Sequence, residues 1–211
     1  MRAREGRLTR PERREAPRRD WLVAALSAAG FILAGYLAAT QLSDSRALFC
    51  EAGSGCDVVR GSRYATFLRL PTAAWGAGLY AAIGGLALSG LSARRWLAAF
   101  LLAVAGASFS AYLTVLELFV IRAVCVYCVA SAVIAVALFG LLLALRPRAT
   151  GRRSPVRPAR VAVLGGITAV ATVVFGAAVF ATHTPQQAAG YQEALARHLA
   201  GSGAVMYGAY W

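Results

Sequence analysis

VCVYCVASAVIAVALFGLLLAL, residues 124–145, decides the fold. The stretch is apolar or small throughout and carries no charge. At about 1.5 Å per residue it is long enough to cross a hydrocarbon core of roughly 30 Å. It opens with Cys125 and Cys128, a spacing that puts both thiols on one helix face, where a disulfide needs only modest local adjustment. A thiol pair at the edge of a membrane span poses the question of what gives it electrons and what takes them.

Working outward, four more apolar runs appear at 21–40, 71–91, 96–121 and 161–181. The chain is 59% hydrophobic with 15% charged residues, and apolar runs of this length mean membrane spans rather than a soluble core. The fold class is therefore all-α integral membrane, with five transmembrane helices. The run 96–121 would measure about 39 Å and should tilt or project beyond the hydrocarbon. Residues 1–20 form an Arg-rich arm, 146–160 a basic linker and 182–211 a polar tail. The first run lacks a small-residue cleavage site followed by a soluble domain and reads as a retained span.

All 22 basic residues are arginine, and the net charge is +13. Eight arginines lie in 1–20, two in 92–95 and six in 146–160, against six elsewhere. This alternation orients a membrane protein, with the N-terminus cytoplasmic and the C-terminus outside. It is not the footprint of nucleic-acid binding, and the lipid bilayer is the expected environment. Five spans then place Cys50 and Cys56, in the polar segment 41–70, on the same outer face as Cys125 and Cys128. That face is the oxidising one, where disulfides form and persist.

Four readings of the cysteines stay open from the residues alone. They are inert buried thiols, a four-thiolate zinc site, two structural disulfides, or a redox relay. A zinc site at the bilayer edge in an oxidising compartment is disfavoured, so no metal is expected. The relay suits the positions best. Cys125 lies in the first turn of its helix, where free backbone N–H groups favour a thiolate, and Arg122 either adds to this or anchors the interface. Cys128 lies one turn deeper. Gly53, Ser54 and Gly55 between the loop cysteines would let that pair swing.

The ordered pattern Cys50-x5-Cys56, Ser62, Leu70-Pro71 with Gly76 and Tyr80, then Cys125-x-x-Cys128 resembles the bacterial vitamin K epoxide reductase family over 21–145. The resemblance implies a four-helix bundle around a quinone (menaquinone or ubiquinone), to which bacterial members often add a fifth helix leading to an outer thioredoxin-like domain. It also implies that Cys50 takes electrons from a thioredoxin-like redox partner, that Cys56 passes them to Cys125, and that Cys128 faces the quinone. Ser62 matches a loop hydroxyl that would bond the quinone oxygen or steady the loop. Trp75, Tyr80, Phe109 and Tyr112 are candidates to line the quinone pocket. Glu117 is either an interfacial residue or a polar group of that pocket.

In the tail, 186–200 reads as an amphipathic helix with Glu193 and Arg197 four apart, followed by a strand-like 204–211. This resembles the start of the fused thioredoxin-like domain, stopping before its Cys-x-x-Cys. A truncated chain, with the donor domain missing or supplied separately, is therefore expected. The expected function is a thiol–quinone oxidoreductase of the plasma membrane, supporting disulfide formation outside the cytoplasm. Electrons would run from thiol to quinone, because quinones are the stronger oxidants. The alternatives are a DsbB-type oxidase, which carries its partner-facing pair after the third span, and a non-enzymatic membrane protein with structural disulfides.

Overall fold

The structure, a computed structural model, describes residues 20–43, 45, 47–51, 53–147, 156–182, 197–199 and 201–202. Most of the N-terminal arm, most of the linker and nearly all of the tail lie outside the described residues, as do Glu193 and the strand-like segment.

Among the described residues, five long helices build the bundle. They are α1 Trp21–Leu42, α3 Thr72–Leu88, α4 Ala93–Leu116, α5 Val126–Ala144 and α6 Pro158–Thr182, with a short α2 Gly55–Gly61 between α1 and α3. All except α3 and α2 are long and apolar enough to cross a membrane. The chain is an all-α membrane protein. Helix α3 has 17 residues, about 26 Å of rise, and is shorter than the run 71–91 suggests. Its end is set by Ser89, whose N–H returns to Gly85 O, and by Gly90 at φ +86°. Helix α4 continues through a π turn at Glu117–Ile121.

The helices approach one another through small residues, as lipid-embedded bundles do. Gly30 on α1 faces the Tyr80 ring so closely that a Cβ there would lie 2.7 Å from its carbons. Gly84 on α3 meets Ser27 of α1 in the same way. At one end of the bundle the core centres on the fully buried Trp96, Ile83, Leu138 and Leu142. Trp96 stacks on Phe100 with ring centroids 5.2 Å apart, and its indole N–H donates to Leu142 O at 2.9 Å. Toward the other end, Tyr80 OH meets Ser131 O at 2.9 Å and joins α3 to α5. Outward-facing apolar residues such as Val163, Ile167, Val170 and Val174 form an exposed stripe along α6, a surface suited to lipid.

Between α1 and α3 the chain folds back over the bundle. Helix α2 is followed by a 3₁₀ turn, Arg63–Ala65, and a hairpin of β1 Thr66–Phe67 against β2 Leu70–Pro71. Phe67 in that hairpin meets Trp75, Phe109, Phe175 and Phe180 edge-on. The polar segment is thus a folded cap fastened to α3, α4 and α6, not a free loop.

Candidate active site

The cap is shaped by local hydrogen bonds. Ser54 Oγ accepts the Asp57 N–H at 3.3 Å and Asp57 Oδ2 accepts the Gly53 N–H at 3.0 Å. This reciprocal pair starts α2 and turns the chain at Gly53, whose φ of +80° suits glycine. Cys56 falls in the first turn of α2. Cys50 is bridged to it, with Cα atoms 5.4 Å apart.

Gly55 has a different task from the flexibility expected of it. A Cβ built there would lie 2.3 Å from Val124 O, so α2 rests directly on the residue before Cys125. As a result Cys50, Cys56 and Cys125 are buried in one cluster with Ala47 and Val59, and Cys128 packs against it. All four cysteines lie at the same end of the bundle. Two tyrosines hold the segment before Cys50 in place. The Leu48 N–H donates to Tyr36 OH at 2.8 Å, and Tyr127 OH donates to Leu48 O.

Helix α5 begins at Val126, which makes Cys125 its N-cap and puts it outside the spanning helix. Cys125 and Cys128 are free thiols. The hydrogen bond with the Cys128 side chain is the main influence on Cys125. It brings that thiol down to about 7 against the opposing effect of burial, helped by the N–H groups of Cys128 and Tyr127. Capping N–H groups stabilise a thiolate as they do any N-cap anion. Glu117 works against the thiolate, and Arg122 is not among the groups that shift it. Arg122 instead takes a left-handed conformation that closes the π turn, its N–H returning to Glu117 O.

Beneath the cysteines a cavity of about 810 Å³ runs into the bundle, lined by residues that include Cys125, Cys128, Tyr80, Trp75, Phe109 and Glu117. Ser131, Gln41 and Thr72 also reach it, so a largely apolar chamber carries a few polar groups, the usual make-up of a small-molecule site. Tyr112 and Ser62 do not line it. Tyr112 packs with Phe109 and Phe180. Ser62 donates its hydroxyl to Val59 O at 2.7 Å, at the end of α2. Of the two roles open to Ser62, this geometry suits the steadying one. Glu117 is 4% exposed and is a pocket group rather than an interfacial one.

The sequence did not single out Tyr36 and Tyr127, since a tyrosine near a span end has many uses. The close approach at Gly55 has no local signal at all.

The family model described as the Vitamin K epoxide reductase family matches residues 21–143, more than half of the chain. The match takes in α1, the cap, α3, α4 and nearly all of α5, and with them all four cysteines. That family implies an oxidoreductase reaction and uses quinones in general. This multi-pass membrane chain belongs to the Vitamin K epoxide reductase family.

Proposed function

We propose that the protein is a membrane thiol–quinone oxidoreductase that carries electrons from the Cys50/Cys56 pair to the Cys125/Cys128 pair and on to a quinone of the menaquinone or ubiquinone class. The observation that carries this reading is the burial of both pairs in one cluster at the mouth of the cavity, the loop pair joined and the inner pair as free thiols. That is the product of an exchange in which two electrons have moved inward.

The residues fit such an acceptor. Trp75 and Phe109 offer flat apolar faces for a ring, Tyr80 and Ser131 offer hydroxyls, and the Cys128 thiol opens on the same space. A bound quinone supplies a two-electron sink. The chain does the rest. The N-cap position of Cys125 prepares it as the exchanging sulfur, the cap keeps bulk water from the inner pair, and Cys128 is the sulfur released from Cys125 in the exchange. The arginine distribution supports an extracytoplasmic active end and a plasma-membrane location. A thioredoxin-like protein or domain is the thiol donor we assign, with Cys50 as its point of entry. Because Cys50 is buried in the bridged state, that donor must find the cap loosened.

The test is quinone reduction by the purified full chain in detergent micelles, with dithiothreitol as reductant and ubiquinone-1 as acceptor. The wild-type chain should turn over, Cys128→Ser should lose the reaction, and Cys56→Ser should keep only the slower direct reaction of dithiothreitol with the inner pair. Wild-type turnover in both variants would sink the proposal.

A further inference from the structure

Glu117 is buried where α4 passes into its terminal π turn, a kind of insertion that recurs at functional sites. Its Oε2 accepts the Cys125 N–H at 3.5 Å. Glu117 lines the cavity together with Cys128. A buried carboxylate is costly without partners. Here its hydrogen-bond partner is the backbone of one inner cysteine, and the thiol of the other borders the same space. A thiolate expelled into an apolar chamber carries the same cost unless it is protonated as it leaves.

Resting on the relay reading above, we propose that Glu117 is a catalytic acid–base residue that passes a proton to and from Cys128 Sγ. In the exchange, the Cys56 thiolate attacks Cys125 Sγ and the Cys125–Cys128 bond breaks. Its electron pair leaves on Cys128 Sγ, which takes the proton of the Glu117 carboxylic acid. The Cys50 thiolate then attacks Cys56 Sγ and releases Cys125. Cys50 and Cys56 have given two protons to water, Cys125 takes one of them back, and Glu117 is left as the carboxylate with the other proton in solution. Two electrons have moved from the loop pair to the inner pair, and no other reagent is consumed. When the inner pair is oxidised again, the carboxylate receives the Cys128 proton.

The experiment uses the full chain in quinone-free micelles with both pairs oxidised. Dithiothreitol is added, thiols are trapped with a maleimide at timed intervals, and mass spectrometry reads the two pairs separately. A chain lacking both loop cysteines gives the direct reaction of the reagent with the inner pair, which is subtracted. Glu117→Gln keeps the shape and an acceptor for the Cys125 N–H. It should slow appearance of the inner thiols by at least about tenfold while the loop pair is reduced as in the wild type. Glu117→Asp should recover much of the rate, and formate should rescue Glu117→Ala. Wild-type speed in Glu117→Gln would overturn the proposal and leave the relay standing. A slow variant that neither aspartate nor formate mends marks a structural role and overturns it too. If the wild-type inner pair ignores reduction of the loop pair, relay and proposal fall together.

Discussion

At the scale of single residues, the chemistry rests on how two thiols of one motif come to differ. Cys125 is the N-cap residue of α5, and the Cys128 thiol is the main influence that brings it down to about 7. Its thiolate fraction therefore rises as pH passes from 6 to 8, where an ordinary thiol of pKa about 8.5 stays mostly protonated. Iodoacetamide modification of Cys125 in the reduced, quinone-free chain should show a midpoint near 7. Cys128→Ser should move that midpoint upward, and an unchanged midpoint would show that Cys128 is not the cause. Ser62 makes the opposite point. Its hydroxyl is committed to Val59 O, so Ser62→Ala should loosen α2 by about 1 kcal/mol and leave the KM for ubiquinone-1 unmoved. A large rise in KM would place the hydroxyl on the quinone instead. The sequence carried Cys125, Cys128 and their partners by spacing alone. It could not assign Ser62, because a loop serine has many possible acceptors and the choice is made by the fold of α2.

At the scale of elements, the spans were legible because apolar runs report length directly, whereas their ends were not. The apolar character of 71–91 continues past the point where Ser89 and Gly90 turn the backbone, so α3 is shorter than its composition suggests. Helix α2 is only seven residues long, too short for a periodic pattern, and its glycines invite a reading as hinges. The usable signal was the Ser54-x-x-Asp57 start, which caps a helix. What Gly55 does is set by Val124, a residue far along the chain, and no local pattern reports it. Gly55→Ala should push α2 away from α5 and slow exchange between Cys56 and Cys125 by about tenfold, the cost of roughly 1.4 kcal/mol of overpacking, while Cys50 and Cys56 still form their bridge. Normal exchange in that variant would mean the contact does not set the approach. Tyr36→Phe removes the hydroxyl that receives the Leu48 N–H. The cap should then open more readily, and dithiothreitol should reduce the Cys50–Cys56 bridge about fivefold faster, as expected for one lost hydrogen bond of about 1 kcal/mol.

At the scale of the whole molecule, the family match ends near the end of α5, yet α6 has a part in holding the site. Phe175 and Phe180 of α6 close on Phe67 of the hairpin, together with Phe109 of α4. The fifth helix thus braces the cap that carries the loop cysteines. Phe67→Ala should lower the stability of the chain in micelles by about 3 kcal/mol, read as a drop in Tm, with faster reduction of the loop bridge. The central claim, however, is that the two cysteine pairs form one circuit ending at the cavity. The measurement that meets it most directly is thiol trapping of each single Cys→Ser variant in membranes, with and without added ubiquinone-1. The relay predicts that Cys125→Ser and Cys128→Ser leave the loop pair reduced, and that the quinone reoxidises only the chain with all four cysteines. Bridges that respond neither to the quinone nor to loss of the neighbouring pair would show two structural staples and contradict it.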